Sequence, residues 1–342
     1  MSRAALAWIA GILALALICA LGWYLFASKT SPVPSASGTS SSPAWLAQFP
    51  HATSTLPMTF HQIPETYNGR QIELPAWLTL PQGSGPFPVV VMIAGSDGLW
   101  GAQGPRGNSP NGWTQYQFWT AWYVSEGYAT LVVDSFTPRG IVEQSGNAVR
   151  AEGGTPPSVF VILPDFYASA DFLTALPSVD PHKMFIMGDS LSGGAVLHAT
   201  GEETQVKTMQ STLAQAGGRI LAAVALYPGC SSVIDQTFSI PTLIFQGEKD
   251  ETVQAPMDCA ELGARSRTSG APVTVVMYQD ATHVYDVNKP PRTPLGAGLD
   301  EYDAPATADT QARIASFLAQ YLGPSAPQQS AERSTLIYSQ AQ

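Results

Sequence analysis

The chain has 342 residues, of which 45% are hydrophobic and 12% are charged, and its formal net charge is −10. Its lysines and arginines form no cluster of the kind that a nucleic-acid groove needs, which excludes nucleic acid as an expected partner. The 30 glycines and 28 prolines are typical of a loop-rich domain that contains both strands and helices. No set of side chains has the spacing of a metal site, so no metal is expected.

The first predicted element is an apolar helix from Ala4 to Ala27. At ~1.5 Å per residue it would span roughly 36 Å, which is enough to cross a bilayer. We favour an uncleaved membrane anchor over a cleavable signal peptide, because a signal peptide has a shorter apolar core and Leu25-Phe26-Ala27 is a poor cleavage site. Under either interpretation the rest of the chain is exported, to the periplasm or the extracellular space. It is tethered in the first case and secreted in the second.

Changes in composition divide the chain into four predicted segments. Residues 1–28 are the transmembrane anchor or signal segment. Residues 29–44 are rich in Ser, Thr, Pro and Gly and predict a flexible linker. Residues 45–323 have a globular composition and form the main domain, and residues 324–342 are polar and predict a disordered tail.

Within the globular domain, short apolar runs alternate with longer helical patterns. The runs are continuous and rich in β-branched residues, which is typical of parallel strands buried on both faces. They are Val89–Ala94, Tyr128–Val133, Met184–Met187, Ile220–Tyr227, Thr242–Phe245 and Val273–Tyr278, preceded by an antiparallel edge strand at Ile72–Leu80. Helices are predicted at Trp113–Glu126, Phe160–Leu176, Leu191–Ala199, Ala255–Ser266 and Ala306–Leu322. The alternation predicts an α/β fold with a mostly parallel central sheet flanked by helices.

The most informative segment is Gly188-Asp189-Ser190-Leu191-Ser192-Gly193-Gly194, which directly follows a predicted strand. A glycine-flanked turn between a strand and a helix lifts a serine hydroxyl above the sheet and aims the next backbone N–H at the reacting oxygen. Ser190 is therefore the predicted nucleophile. Ser192 is the alternative, which we disfavour because the strand length puts Gly188 at the first bend.

An acidic turn, Gly247-Glu248-Lys249-Asp250-Glu251, follows the predicted strand Thr242–Phe245. The carboxyl ends of parallel strands meet at one edge of a sheet, so this turn is expected to lie near Ser190. We predict Asp250 as the acid, with Glu248 and Glu251 as alternatives.

His283 follows the last predicted strand and is the predicted general base, since none of the other four histidines has such a position. A serine hydroxyl is a weak nucleophile until a neutral imidazole removes its proton. A carboxylate on the other ring nitrogen then fixes the tautomer and stabilises the imidazolium.

Two backbone N–H groups are expected to bind the developing oxyanion, those of Leu191 and of Ser96 in the turn after the first parallel strand. The region after that strand is rich in aromatic residues, most of which should pack on the sheet. Trp100 and Trp113 are predicted to line an apolar substrate pocket. Arg139 is predicted to contact an anionic substrate, with a structural salt bridge as the alternative.

Two cysteines support export. Cys230 follows a predicted strand and Cys259 lies on the helix after the next strand, so adjacent elements can bring them together. In an oxidising compartment a disulfide here would stabilise the fold by roughly 3–4 kcal/mol. The alternative is a pair of buried free thiols.

With these residues placed, the chain from Ile72 to Leu322 resembles the dienelactone hydrolase-like branch of the α/β-hydrolase superfamily. The resemblance is carried by Pro86–Val91 with Gly95-Ser96-Asp97-Gly98, by Gly127–Phe136 with Arg139-Gly140, by Asp180–Gly194, by Tyr227-Pro228-Gly229-Cys230, and by Gly247–Asp250 with His283. It implies hydrolysis of an ester, lactone or related acyl bond of a small molecule without a cofactor. It also implies that Ser190, Asp250 and His283 are nucleophile, acid and base.

Three positions depart from that family's pattern. Ala94 stands where many relatives have a histidine, so the oxyanion turn is expected to be held differently. Ser192 replaces the usual glycine of the elbow. Ser190 replaces the cysteine of the dienelactone hydrolases proper, which points to their serine-using relatives.

Two other interpretations remain open. Gly188-Asp189-Ser190-Leu191 spells the signature of the GDSL esterases, and Asp280-Ala281-Thr282-His283 matches their Asp-x-x-His, which would make Asp280 the acid. In that family, however, the signature follows the first strand. A non-catalytic binding protein with the same fold at the cell surface is the other alternative.

Overall fold

The computed structural model describes residue 49 and residues 52–100, 111–141, 158–253, 255–265, 270–293 and 298–323. Across these ranges, no helix combines the length and the apolar character that a membrane span requires. The predicted anchor or signal segment, the predicted linker and the predicted C-terminal tail all lie outside the described residues.

The described residues contain a sheet of eight strands. In chain order these are β1 (Met58–Tyr67), β2 (Arg70–Thr79), β3 (Phe87–Ile93), β4 (Ala129–Val133), β5 (Val179–Asp189), β6 (Ile220–Leu226), β7 (Thr242–Gly247) and β8 (Val273–Tyr278). The order across the sheet is β1-β2-β4-β3-β5-β6-β7-β8. β2 is antiparallel to β1 and to β4, and every other neighbouring pair is parallel. The predicted mostly parallel sheet is confirmed.

Helices cover both faces of the sheet. They are α1 (Asn111–Ser125), α2 (Val159–Thr174), α3 (Ser190–Ala199), α4 (Thr204–Gln215), α5 (Met257–Arg265) and α6 (Ala304–Leu322). Side chains alternate between the faces along a strand, so β3 contributes to two cores. Val89, Val91 and Ile93 join the core that includes α2 and α3. Val90 and Met92 join the core that includes α1 and α6.

Two elements were not predicted, and both are poor in buried apolar residues. Of the ten residues of β1, only Ile63 is buried, and α4 buries only Val206 and Leu213. A continuous apolar run or a wide apolar stripe is what makes an element visible in a sequence, and neither element has one. Because β1 pairs with β2, the strand predicted at the edge lies one position inside it.

Cys230 and Cys259 are joined by a disulfide. Cys230 follows β6 and Cys259 lies on α5, and both are almost fully buried. The sulfur of Cys259 lies 3.8 Å from Oε1 of Gln246, at the end of β7. The disulfide therefore ties the segment after β6 to the helix after β7, at the carboxyl edge of the sheet.

Candidate active site

The turn between β5 and α3 presents Ser190. Its φ of 49° lies in the left-handed region that non-glycine residues rarely adopt. The turn is possible because two glycines leave room for backbone. A Cβ on Gly188 would lie 2.4 Å from the carbonyl oxygen of Ser192, and a Cβ on Gly193 would lie 2.9 Å from that of Leu226. Ser190 remains partly exposed at the carboxyl end of the sheet.

Three of the residues predicted from the sequence form one hydrogen-bonded chain. Nε2 of His283 lies 3.0 Å from Oγ of Ser190. Nδ1 of His283 lies 2.7 Å from Oδ2 of Asp250. The three residues come from the ends of β5, β7 and β8, which are brought together because these parallel strands end at the same edge.

The carboxylate of Asp250 is fixed by several donors besides His283. Its Oδ1 accepts the backbone N–H groups of Thr252 at 2.9 Å and Val253 at 3.1 Å. Its Oδ2 accepts the side-chain amide of Gln246 at 2.8 Å. Burial by itself raises the pKa of Asp250, but the hydrogen bond and the charge of His283, with these donors, outweigh it and lower the pKa below its ordinary value. The group is therefore ionised at neutral pH.

The ionised acid decides the tautomer of the imidazole. A carboxylate has no proton to give, so Nδ1 of His283 must donate to Asp250. In the neutral ring Nε2 is then an acceptor for the hydroxyl of Ser190. The ring of Tyr227 packs edge-on against His283 at 4.8 Å between centroids and restrains its orientation.

The alternative acids lie elsewhere. Glu248 and Glu251 are exposed. The side chain of Asp280 is 72% exposed and pairs with Nζ of Lys249 at 2.6 Å. Asp250 thus occupies the position beside the imidazole that the GDSL interpretation assigned to Asp280.

The turn that follows β3 passes close to the serine. A Cβ on Gly95 would lie 2.8 Å from the backbone carbonyl oxygen of Asp189 and 3.2 Å from Cβ of Ser190, so a glycine is needed for this approach. The N–H of Gly98 donates to the carbonyl of Gly95 at 3.0 Å and closes the turn around Ser96. Leu191 is the second residue of α3, where backbone N–H groups have no acceptor within the helix. Both predicted oxyanion donors therefore lie in segments adjacent to Ser190.

Ser192, the alternative nucleophile, has a different position. Its side chain is fully buried. Its hydroxyl accepts the N–H of Asp189 at 2.9 Å and donates to the carbonyl of Ile93 at 2.7 Å. The serine that replaces the usual glycine thus ties the elbow to the end of β3.

The model of the dienelactone hydrolase family matches residues 74–322. The chain belongs to this family. It is accordingly a hydrolase of the esterase-like kind, built on the α/β-hydrolase fold. A search of curated proteins returned no match.

Solved structures of other hydrolases share the fold. A Klebsiella pneumoniae protein assigned to the dienelactone hydrolases is 16% identical with a TM-score of 0.53, over 78% of this chain and 100% of that chain. Thermogutta terrifontis esterase 2 is 14% identical with a TM-score of 0.52, over 80% and 97% of the two chains. Porphyromonas gingivalis dipeptidyl peptidase 4 is 19% identical with a TM-score of 0.51, over 81% of this chain and 37% of that chain. At these identities the similarity concerns the fold.

Two residues predicted to line a substrate pocket belong instead to the core of this family member. Trp100 and Trp113 are each 2% exposed, and their rings stack at 5.2 Å. The indole of Trp100 donates to Asp134 at 2.6 Å, and that of Trp113 donates to the carbonyl of Thr53 at 2.7 Å. The prediction is wrong because their polar N–H groups already have partners inside the domain, which allows the whole ring to be buried.

Arg139, predicted to contact an anionic substrate, forms the structural salt bridge that was the alternative. Its guanidinium donates to both carboxylate oxygens of Asp165, at 2.8 and 2.9 Å, and to the carbonyl of Ser135 at 2.6 Å. The Arg139 side chain is 2% exposed and lies over the ring of Tyr67. Burial raises the pKa of Asp165 to about 6, although Arg139 opposes the shift. The pair holds the segment after β4 against α2.

Sequence reasoning missed a group of buried polar residues beneath the site. Asp286 accepts hydrogen bonds from the hydroxyl of Tyr227 at 2.8 Å, the indole of Trp119 at 2.7 Å and the amide of Gln115 at 3.1 Å. Burial raises the pKa of Tyr227, and the charges of Asp286 and of the buried Asp189 add to that shift. The available signal was the position of each acid, one directly before Ser190 and one three residues after His283.

Proposed function

We propose that this dienelactone hydrolase family member is a serine hydrolase that cleaves an ester, lactone or related acyl bond of a small molecule through an acyl-enzyme intermediate. The observation that carries the proposal is the chain of contacts from Oγ of Ser190 through His283 to Asp250, at 3.0 and 2.7 Å. Family membership supports the hydrolase part of this proposal.

The first half of the reaction forms the acyl-enzyme. Oγ of Ser190 attacks the acyl carbon while its proton moves to Nε2 of His283, and the carboxylate of Asp250 stabilises the imidazolium. The carbonyl oxygen takes up the negative charge and accepts the N–H groups of Leu191 and Ser96. In other hydrolases the loss of a single oxyanion donor lowers kcat by about 10²–10³-fold.

Collapse of the tetrahedral intermediate breaks the bond to the leaving group. The imidazolium of His283 gives its proton to the leaving oxygen, and the acyl group stays on Ser190. Water then attacks the acyl carbon and passes a proton to His283, which returns it to Ser190 as the acid leaves. These groups supply and take up every proton, so the scheme needs no cofactor.

Covalent labelling tests the proposal. Thermogutta terrifontis esterase 2 has been solved in a form phosphorylated by paraoxon, and we expect a fluorophosphonate probe to label the present protein in the same manner. Ser190→Ala should abolish the labelling. The matched control is Ser232→Ala, since Ser232 also lies within hydrogen-bond distance of a histidine, at 3.2 Å from His198. Labelling that survives in Ser190→Ala, or is absent from the folded wild type, contradicts the proposal, and the latter result favours a non-catalytic binding protein.

The substrate class is tested by turnover. The full chain is assayed against short-chain and long-chain acyl esters, lactones and small amides. The proposal expects esters or lactones to be cleaved with the highest kcat/KM. Cleavage of amides alone would indicate a peptidase.

We further propose that the protein is exported and held at the membrane by its N-terminal apolar segment. The apolar run of Ala4–Ala27 and the disulfide support this, because disulfides persist in oxidising compartments. Fractionation of cells followed by N-terminal sequencing tests the proposal. An intact N-terminus in the membrane fraction supports the anchor, whereas a shortened chain in the soluble exported fraction supports a cleaved signal peptide.

A further inference from the structure

The residue directly before the serine, Asp189, is a buried acid that contacts the turn after β3. Its Oδ1 accepts the backbone N–H of Gly95 at 3.2 Å. The same oxygen accepts a hydrogen bond from the hydroxyl of Tyr116. Asp189 is 7% exposed and Tyr116 is 2% exposed, so both groups are largely removed from water. A buried carboxyl group with such partners needs a structural or functional reason.

The turn after β3 is also held at the point where the strand ends. The carbonyl of Ile93, where the strand ends, lies 2.9 Å from the hydroxyl of Tyr116 and 2.7 Å from that of Ser192. Polar side chains therefore contact the backbone on both sides of Ala94. Ala94 itself has only a methyl group, so the polar contacts that orient the turn come from the elbow and from α1.

These contacts determine where the next peptide group lies. The N–H of Gly95 is taken by Asp189, so it is not a donor for an oxyanion. The following N–H belongs to Ser96, which the proposed reaction uses. The peptide group that carries the Ser96 N–H shares the Cα of Gly95, and its carbonyl accepts the N–H of Gly98 at 3.0 Å. Hydrogen bonds to the peptide groups on both sides of Gly95 therefore limit the direction of the Ser96 N–H.

We infer that Asp189 is a positioning residue for the oxyanion-binding turn: its carboxyl group, anchored by Tyr116, holds the Gly95 peptide so that Ser96 donates to the oxyanion beside Ser190. This inference depends on the proposed serine hydrolase function. It explains how the turn is held in a chain with alanine at position 94, and it gives the acid between Gly188 and Ser190 a role.

The test compares Asp189→Asn, Asp189→Ala and Tyr116→Phe. Asparagine keeps an oxygen that accepts the Gly95 N–H, whereas alanine removes it. A displacement of about 1 Å in a reacting group can lower rates by about 10²-fold, so we expect such a loss of kcat in Asp189→Ala with little change in KM. Asp189→Asn should retain most of the wild-type kcat. The kcat of Tyr116→Phe should lie between those of Asp189→Asn and Asp189→Ala.

The measured quantity is kcat for a nitrophenyl ester, divided by the fraction of protein that the fluorophosphonate probe titrates. The control is Asp165→Asn, since Asp165 is also a buried acid and holds a loop through Arg139. We expect this control to lower the melting temperature without lowering kcat per titrated site. If the role of Asp189 is purely structural, Asp189→Ala should likewise lower the melting temperature and leave kcat per titrated site unchanged.

The outcomes separate this inference from the function on which it rests. A folded wild type that neither labels nor turns over ester overturns the proposed function. A wild type that turns over, with an unchanged kcat per site in Asp189→Ala, overturns the positioning role alone. If Asp189→Ala does not fold, Tyr116→Phe decides, because an unchanged kcat in that variant contradicts the role. Equal losses in Asp189→Asn and Asp189→Ala contradict it too, since the acceptor oxygen would then be irrelevant.

Discussion

Two serine–histidine contacts in the described part of the chain have similar distances and different surroundings. Oγ of Ser190 lies 3.0 Å from Nε2 of His283, and Oγ of Ser232 lies 3.2 Å from Nε2 of His198. Both histidines are buried. Each also faces a carboxylate with its other ring nitrogen, so the two sites contain the same three kinds of group.

The carboxylates separate the two sites. Asp250 is buried and lies 2.7 Å from Nδ1 of His283. Glu203 has a side chain that is 50% exposed and lies 3.7 Å from Nδ1 of His198, which is too long for a hydrogen bond. Burial lowers the pKa of His198, with Glu203 opposing the shift. Only the first imidazole is oriented by a fixed acid.

The backbones differ as well. Ser190 begins a helix directly after a buried strand and has a left-handed φ of 49°. Ser232 lies exposed in the short 3₁₀ helix Ser231–Val233. A hydrogen bond between serine and histidine is therefore insufficient for a reactive serine. The oriented acid and the neighbouring N–H donors distinguish the site for which we propose catalysis.

The largest expected effect comes from removing each imidazole in turn. His283→Ala should lower kcat by about 10⁵–10⁶-fold, because loss of the base in a serine hydrolase removes almost all chemical acceleration. His198→Ala should leave kcat of the folded protein nearly unchanged. Steady-state ester hydrolysis, with the folded fraction measured by circular dichroism, checks both variants. Similar losses of kcat in the two variants would contradict a catalytic role that is confined to His283.

The next effect concerns the acid. Asp250→Asn should lower kcat by about 10⁴-fold, since an amide in this position favours the wrong tautomer. Asp280→Asn changes an exposed side chain, and such substitutions alter the free energy of unfolding by about 0.5 kcal/mol or less. We therefore expect kcat of this variant to stay close to that of the wild type. Kinetics on both variants tests the choice of acid. A large loss in Asp280→Asn with little loss in Asp250→Asn would favour the GDSL arrangement.

The disulfide connects the two regions. Cys230 directly precedes the 3₁₀ helix with Ser232, and Cys259 contacts Gln246, which donates to Asp250. Replacing both cysteines by serine should lower the free energy of unfolding by about 3–4 kcal/mol, given the length of the closed loop. Denaturant unfolding measures this loss. Because β7 and β8 hold Asp250 and His283 independently, kcat should change far less than in the acid and base variants.

The smallest expected effect is a pH dependence of stability. Burial, with repulsion from Asp286, raises the pKa of Asp189 to about 7 against the hydrogen bonds of Tyr116 and Gly95. The native state therefore binds more protons than the unfolded state between about pH 4 and pH 7, and stability falls as pH rises through that range. One pKa unit corresponds to about 1.4 kcal/mol, so the loss is on the order of 2–4 kcal/mol.

Denaturant unfolding at pH 5 and pH 8 measures the slope of the free energy of unfolding against pH. Asp189→Asn should flatten it, because the amide does not titrate. The lowered pKa of Asp250 acts in the opposite sense, since its contribution to stability is lost only when the pH falls through its native pKa. A slope that is unchanged in Asp189→Asn would show that this carboxyl is not the group responsible.

The sequence alone predicted the strands that are continuous apolar runs, including β8, which lies at the sheet edge with only Val273 buried. The strands that became β3 to β8 are continuous apolar runs, and such runs are read without knowledge of their neighbours. β1 and α4 were not predicted because neither has a continuous apolar run or a wide apolar stripe, and few of their residues are buried. Ser190, Asp250 and His283 could be proposed because each lies in the turn that follows a predicted strand, and parallel strands end at one edge.

What the sequence determined is therefore the α/β architecture and the chain order of the reactive groups, because both follow from local hydrophobic pattern and turn chemistry. Tertiary structure decided the environment of each polar group. It buried Trp100, Trp113 and Arg139, where Asp134, Thr53 and Asp165 accept hydrogen bonds from them. It also gave Asp250 and Asp189 pKa shifts of opposite sign, since the partners that stabilise or oppose a buried charge come from distant parts of the chain.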